Sequence, residues 1–293
     1  MAIIGTDILY AKQLLQSGQV IGIPTETVYG LAGNALSRAA VTKIFSVKNR
    51  PQFDPLIVHV PNLEKANDYV LEIPEHARKL AGKFWPGPLT LLLKKKNIIP
   101  DLVTSGLDTV GIRCPDHTLT RQLLKALPFP LAAPSANPFG YVSPTKPQHV
   151  DEQLGSKIQY ILDGGPCPIG IESTIVGFED SKPVVYRLGG LSLEAIEKTI
   201  GKVKLMTHST SNPKAPGQLQ SHYAPGKKVI LGSIEQLLKT HPHAGVLSFQ
   251  KDYRVTNQIV LSSSGNLEEA AQHLFESLRA FDKTDADVVL TEL

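Results

Sequence analysis

The stretch KIFSVKNRPQFDPLIVHV sets Lys48 and Arg50 two residues apart, where an apolar helical pattern gives out, with prolines at 51 and 55. Lysine supplies a mobile point charge, and arginine a rigid fork that matches paired phosphate or carboxylate oxygens. The prolines stiffen the chain around both into a fixed loop. The pair reads either as surface decoration or as a clamp on an anion. A second segment, IPTETVYGLAGNA at 23–35, carries two threonines, Glu26, Tyr29 and two glycines just after an apolar strand. Short hydroxyl donors and close backbone approach suit a ligand crossing a strand end, although the same residues also make a plain turn. The segment is neither a G-x-x-x-x-G-K-S/T loop nor a G-x-G-x-x-G fingerprint.

A third, LAAPSANPFGYVSP at 131–144, holds Ser135, Asn137 and Ser143 in a small-residue, proline-rich run. Such groups read a nucleotide's phosphates or base, or else cap turns. Arg113 ends the strand TVGIR, Ser173 and Thr174 open TIVGF, and Arg187 closes VVYRLGG. Several strands ending in an arginine or a hydroxyl are harder to explain as decoration than any one of them. His59, inside LIVHV, also fits a satisfied core histidine. His208, His222, His241 and His243 are scattered, and with no H-E-x-x-H or Cys/His spacing no structural zinc is assigned. There is no G-x-S-x-G elbow and no persuasive nucleophile–base pair. Chemistry here would run on clamping and electrostatics, not a covalent intermediate.

The elements that position these groups follow from periodicity. Helices are expected over 7–17, 38–48, 62–70, 75–82, 118–127, 146–154 and 192–200, and strands at VIGI, PLIVHV, 89–93, 109–113, 160–164, 174–178 and 183–188. This mixture without a repeated unit reads as a compact α+β domain over 1–206. The segment 207–227 then changes texture, with Ser/Thr, proline and glycine and almost nothing to pack a core, which from composition alone is an interdomain linker. Beyond it, over 228–293, KKVILG, SIEQLLKT, GVLSF, NQIVLS, LEEAAQHLFESLRAFD and ADVVLT alternate strand and helix, the pattern of a small parallel-sheet domain.

The 293 residues suit one large core or two domains, and 42% hydrophobic with 19% charged residues is ordinary for a soluble globular protein. A formal charge of +3 gives no argument for a nucleic-acid scaffold. From Lys227 onward there are seven basic and nine acidic side chains, so residues 1–226 hold a net +5, which suits an anionic ligand. Cys114 and Cys167 have no C-x-x-C partner, so a reducing cytosol is the simple reading. No membrane-length apolar run and no signal-peptide pattern occurs, and a cytoplasmic location is expected.

Taken together, PTETVYGLAGNA, KNRPQFDPLIVH, FWPGPLTLLL, VGIRCPDH, APSANPFGYVSPT, ESTIV and YRLGG resemble, in order and spacing, the YrdC/Sua5 family of L-threonylcarbamoyladenylate synthases. HYAPGKK and the terminal α/β segment resemble the long, Sua5-type form. The resemblance implies a YrdC-like twisted mixed-sheet catalytic domain followed by a linker and a small Rossmann-like domain. It implies a nucleotidyltransferase that makes threonylcarbamoyl-AMP and pyrophosphate from L-threonine, bicarbonate and ATP, with Mg²⁺. A partner transferase would move the threonylcarbamoyl group to adenosine 37 of tRNA, with at most weak tRNA contact by this chain.

The family's K-x-R plus S-x-N tetrad falls on Lys48, Arg50, Ser135 and Asn137. By matched motif the threonine pocket would draw on Thr27, His59, Arg113 and Ser173. The nucleotide side would use Lys48, Arg50, Thr109, Ser135, Asn137, Ser143 and Arg187, with Tyr223 or His222 arriving from the linker, which the resemblance turns from inert spacer into active-site cover. No metal ligands are assigned. Asp54 stands where asparagine is common, Glu172 where proline is frequent, and Pro138 and Phe139 where small polar residues are commoner. A charge at Asp54 near triphosphate is tolerable only if it faces away or helps hold the metal. Two other readings are weaker. An RNA-binding module lacks aromatic platforms along a basic groove, and a hydrogenase-maturation carbamoyltransferase domain lacks its flanking cysteine-rich segments. A purely structural protein comes last.

Overall fold

The computed structural model describes residues 1–206, 215–217 and 223–292. Among them, eleven strands join one mixed sheet, in the order Ile3–Gly5, Tyr160–Leu162, Ile21–Ile23, Gly30–Asn34, Leu131–Ala132, Ile57–His59, Thr109–Arg113, Leu89–Lys94, Thr174–Glu179, Lys182–Arg187 and Lys204–Leu205. Apolar clusters cover it. The larger includes Ile44, Leu80, Val103, Val150 and Ile196, and a smaller one gathers Leu14, Leu15, Leu123 and Leu124. A separate four-stranded sheet is parallel throughout, in the order Lys228–Leu231, Val288–Thr291, Gly245–Ser248 and Gln258–Val260. The α+β fold with a small parallel-sheet unit is as expected. No helix among the described residues is long and apolar enough to cross a membrane.

Most expected elements form close to their expected bounds. The first helix is Ile8–Gln16, with the Asp7 carboxylate accepting from the N–H groups of Leu9 and Tyr10. The helix expected over 62–70 is one turn, Leu63–Ala66. Its chain turns at Asn67 and Val70 bridges to Lys95 of the sheet. Gly30–Asn34, taken as a ligand loop, is a strand. Its residues are buried on both faces up to Gly33, so it carries no period-2 alternation to recognise. The described residues of the linker also pack more than its composition suggested. Ala215 is fully buried among Ile57, Ile175 and Tyr186, and Tyr223 joins Val28, Val142 and Phe275.

The two sheets are tied by the helix Leu267–Phe281. Its Arg279 donates to the carbonyls of Val142 and Ser143 and lies 4.9 Å from the Tyr141 ring centroid. Lys146 pairs with Glu276 and Lys283 with Glu152. Gly170, at φ 76°, lies where a Cβ would come within 2.4 Å of the Gln272 carbonyl oxygen, so only glycine lets this helix approach so closely.

Candidate active site

The helix Arg38–Lys48 ends in a turn that explains how both basic residues of the opening stretch become buried. Asn49 adopts the left-handed conformation (φ 52°, ψ 39°), its N–H bonds to Ser46 O, and the Arg50 N–H bonds back to Phe45 O at 3.0 Å. Pro51 then keeps Arg50 out of the helix. Lys48 is 1% exposed, and its ammonium donates to the carbonyls of Ser135 and Asn137, both at 2.5 Å. Burial, seconded by the Arg50 charge, holds the Lys48 amine well below the usual lysine range. Arg50 donates to the backbone oxygens of Asp54 (3.1 Å) and Pro55 (2.9 Å).

The Asp54 carboxylate sits 2.8 Å from Arg50 Nη2 as a fully buried ion pair, at an angle that makes no hydrogen bond. Burial raises its pKa and the Arg50 charge opposes that rise. The added charge at this position thus faces Arg50.

The Ser135–Asn137 loop is fixed from several sides. Ser135 bridges to Gly30, the Ala136 N–H bonds to Tyr29 O, and the Asn137 amide donates to Pro138 O and Tyr141 O. Asn137 Oδ1 is left buried with no partner, which marks it as an acceptor aimed at a ligand or water.

Strand register brings the next group together. His59 pairs with Arg113, and Arg113 with Thr90, so three strands end side by side. Thr90 Oγ1 and Ser173 Oγ lie 2.8 Å apart. Arg113 donates from Nη2 to Thr27 Oγ1 at 2.8 Å, and Glu26 Oε1 stands 2.8 Å from the same nitrogen while its Nε is unpartnered. His59 is 3% exposed, and burial, with the Arg113 charge, pushes its imidazole down to about 3, so it is neutral at physiological pH. Arg187 follows a β-bulge, which re-aims its side chain over Ser173. It donates from Nε and Nη2 to Ser173 O, from Nη2 to Ser173 Oγ at 3.0 Å, and from Nη1 to Tyr223 OH at 3.1 Å. Tyr223, at φ 60°, stacks on Phe275 with ring centroids 5.7 Å apart.

One cavity collects these side chains. Arg50, His59, Arg113, Ser135, Glu172, Arg187, Pro216 and Tyr223 are on its wall, with Thr25, Val28 and Gly30. The void between them is about 30 Å³, room for a water or two. Lys48, Asn137, Thr27, Ser143 and Ser173 stand one layer behind and bond to the wall or to the Ser135–Asn137 loop. Ser143 Oγ donates to Glu172 Oε1 at 2.7 Å.

Thr109 does not belong with this group. It opens the strand that Arg113 closes, about 13 Å away at ~3.3 Å per residue, and lines a different cavity with Glu72, Asp108 and Glu179. His222 lies outside the described residues. Sequence reasoning assigned no role to Asp54 or Glu26 as partners of Arg50 and Arg113, nor to Phe275 beneath Tyr223. Glu26 and Asp54 both had a signal, as carboxylates inside already suspicious segments, and Phe275 had none.

Comparison with known proteins is consistent with this geometry. A model of the Sua5, YciO and YrdC proteins, described as "Telomere recombination", matches residues 13–189, and one described as "Threonylcarbamoyl-AMP synthase, C-terminal domain" matches residues 191–293. The threonylcarbamoyl-AMP synthase of Pyrococcus abyssi is 41% identical, over 96% of this chain and 87% of that protein. That of Bacillus subtilis is 40% identical, over 97% and 87%. The crystal structure of P. abyssi Sua5 complexed with L-threonine superposes with a TM-score of 0.91 at 38% identity, covering 100% of this chain and 92% of that one.

Proposed function

The chain belongs to the Sua5 family of threonylcarbamoyl-AMP synthases, and on that premise we propose how its residues divide the reaction. It converts L-threonine, bicarbonate and ATP to threonylcarbamoyl-AMP and pyrophosphate, for threonylcarbamoylation of tRNA adenosine 37. The observation that carries the division of labour is the convergence of three buried arginines, Arg50, Arg113 and Arg187, on one small cavity at the strand ends.

Arg113 receives the threonine carboxylate. Its unpartnered Nε and its side-by-side position with neutral His59 suit a planar two-oxygen ligand. Thr27 and Ser173 supply hydroxyls beside it. Arg50 and Arg187 face the triphosphate. Lys48 uses two of its three donors on the Ser135 and Asn137 carbonyls, which leaves one for a phosphate oxygen and makes it both tie and clamp.

Threonine's amine attacks bicarbonate to give a carbamate, and the carbamate oxygen displaces pyrophosphate at the α-phosphorus. The cations offset charge on the phosphates and on the leaving group. Carbamate and mixed anhydride both hydrolyse, so a wall that excludes water matters more than a strong base. Tyr223 and Pro216 form part of that wall, and the void of about 30 Å³ has to widen to admit ATP and threonine. Mg²⁺ would arrive on the triphosphate and neutralise its charge. The product then passes to a transferase acting on tRNA.

Steady-state kinetics of two variants test the division. Arg113→Ala raises KM for threonine far more than for ATP, and Arg187→Ala does the reverse. Equal effects of both variants on both substrates would contradict it.

A further inference from the structure

Threonine enters as a zwitterion, and the arginines account for only half of it. The ammonium must lose a proton before nitrogen can attack bicarbonate, because a free amino acid's α-ammonium, beside its own carboxylate, titrates above the ~8 of a peptide α-amino group and is protonated at pH 7. Among the described residues, Glu172 is the one carboxylate on the cavity wall. The other nearby acids are turned away: Asp54 pairs with Arg50, and Glu26 stands behind Arg113. Neutral His59 is too weak a base, and the Tyr223 phenol is raised by burial and keeps its proton.

Glu172 is firmly aimed. Its carbonyl accepts from the Gly190 N–H at 2.8 Å, and a Cβ on Gly189 would lie 2.2 Å from that carbonyl, so the Gly189–Gly190 turn closes on it only as glycine. Its Oε1 accepts from Ser143 Oγ, and its Oε2 lies 3.7 Å from Arg187 Nη2 without a close bond.

We infer that Glu172 is a catalytic residue of the reaction proposed above, binding threonine's ammonium through Oε2 and taking its proton. The inference rests on that reading, and it concerns this chain, since many relatives by resemblance carry proline here. The ammonium gives one proton to Oε2. The freed lone pair forms the N–C bond to the bicarbonate carbon, and the second N–H proton goes to the departing hydroxyl, which leaves as water. Glu172 then returns its proton to solvent, and no electrons change hands. The charged and titratable groups facing Glu172 are Arg187, Arg50 and Lys48, with Tyr223 across the cavity, Arg113 and His59 on its wall, Asp54 behind Arg50 and Cys167 beneath.

Glu172→Gln tests this, because glutamine keeps the shape and can still accept from Ser143. Turnover at pH 7 falls by about 10²–10⁴, the usual contribution of a positioned base. It recovers about tenfold per pH unit toward pH 8, as free amine appears, while wild type stays flat. Binding of ATP alone, by calorimetry, holds or tightens, since a negative charge has left the phosphate side. Glu172→Asp keeps a flat profile at lower rate. A Gln variant with wild-type turnover, or one whose loss is independent of pH, would overturn the inference, and so would weakened ATP binding, which marks a merely structural role. Wild-type protein that releases pyrophosphate without threonine would remove the underlying reading and this inference with it.

Discussion

Replacing Lys48 by methionine separates the two roles given to that residue. The ammonium is 1% exposed and holds two carbonyls at 2.5 Å each. Removing it takes away two charge-assisted hydrogen bonds of ~1.5–3 kcal/mol each, or about 3–6 kcal/mol together. It also lifts the desolvation penalty of a buried ion, still several kcal/mol after relaxation. The two nearly cancel, and methionine fills the same volume. The expected stability change is under ~2 kcal/mol, a shift of roughly 4–8 °C in melting temperature at most for a chain of this size. Turnover has no such compensation. Loss of a preorganised cation at developing phosphate charge costs about 2.7–4 kcal/mol, or 10²–10³ in kcat. Pyrophosphate release and thermal unfolding are measured on the same preparation. A Lys48→Met protein that turns over at the wild-type rate would refute the clamp, and one that fails to fold would refute the cancellation.

Four further outcomes follow from the geometry. His59 titrates at about 3 when folded and near ~6.5 unfolded, so the unfolded chain binds the proton first as pH falls. Its contribution is fully present above about pH 6.5 and drains away toward pH 3, by ~1.4 kcal/mol per unit and roughly 2 kcal/mol by pH 5. His59→Asn should flatten that part of the urea-unfolding profile between pH 7 and 5, and an unchanged slope would count against a buried neutral imidazole. Phe275→Ala removes a stack of ~0.5–1.5 kcal/mol beneath Tyr223 and should raise KM for ATP about 2- to 13-fold. In a double variant with Tyr223→Ala the effects should not add, whereas full additivity would deny the coupling. Asp54→Asn should keep Arg50 anchored through its two backbone acceptors and leave turnover intact, and its collapse would show that the carboxylate charge itself positions Arg50. Thr109→Ala should leave the KM for ATP unchanged, and a raised value would return Thr109 to the nucleotide site.

Much of the site was legible because its residues sit at element ends that have sequence signatures. Lys48 and Arg50 lie where a helical pattern meets prolines, and Arg113 and Arg187 close strands whose apolar runs are unmistakable. Spacing along one strand was the trap for Thr109: a motif match says a residue is present, but five residues of strand carry its two ends to opposite rims of the sheet. Partnerships between distant segments were not legible at all. Nothing local in SANPFGYV or in LEEAAQHLFESLRAFD announces that Arg279 reaches Val142 and Ser143, or that Phe275 backs Tyr223. The longest helix of the small domain thus packs against Tyr223 and the Val142–Ser143 segment, a contact that neither sequence announces. Gly30–Asn34 was missed for a simpler reason, since a strand buried on both faces and rich in glycine has neither alternation nor β-propensity to show.

The most direct measurement follows a single mixture of the protein with L-threonine, ¹³C-bicarbonate, ATP and Mg²⁺, quenched within seconds and analysed by mass spectrometry. The account predicts a threonylcarbamoyl-AMP peak carrying the ¹³C label, formed in step with pyrophosphate, absent when threonine or bicarbonate is omitted, and lost in Arg50→Ala and Arg113→Ala. Pyrophosphate released at the same rate without threonine, with no labelled adduct, would contradict it.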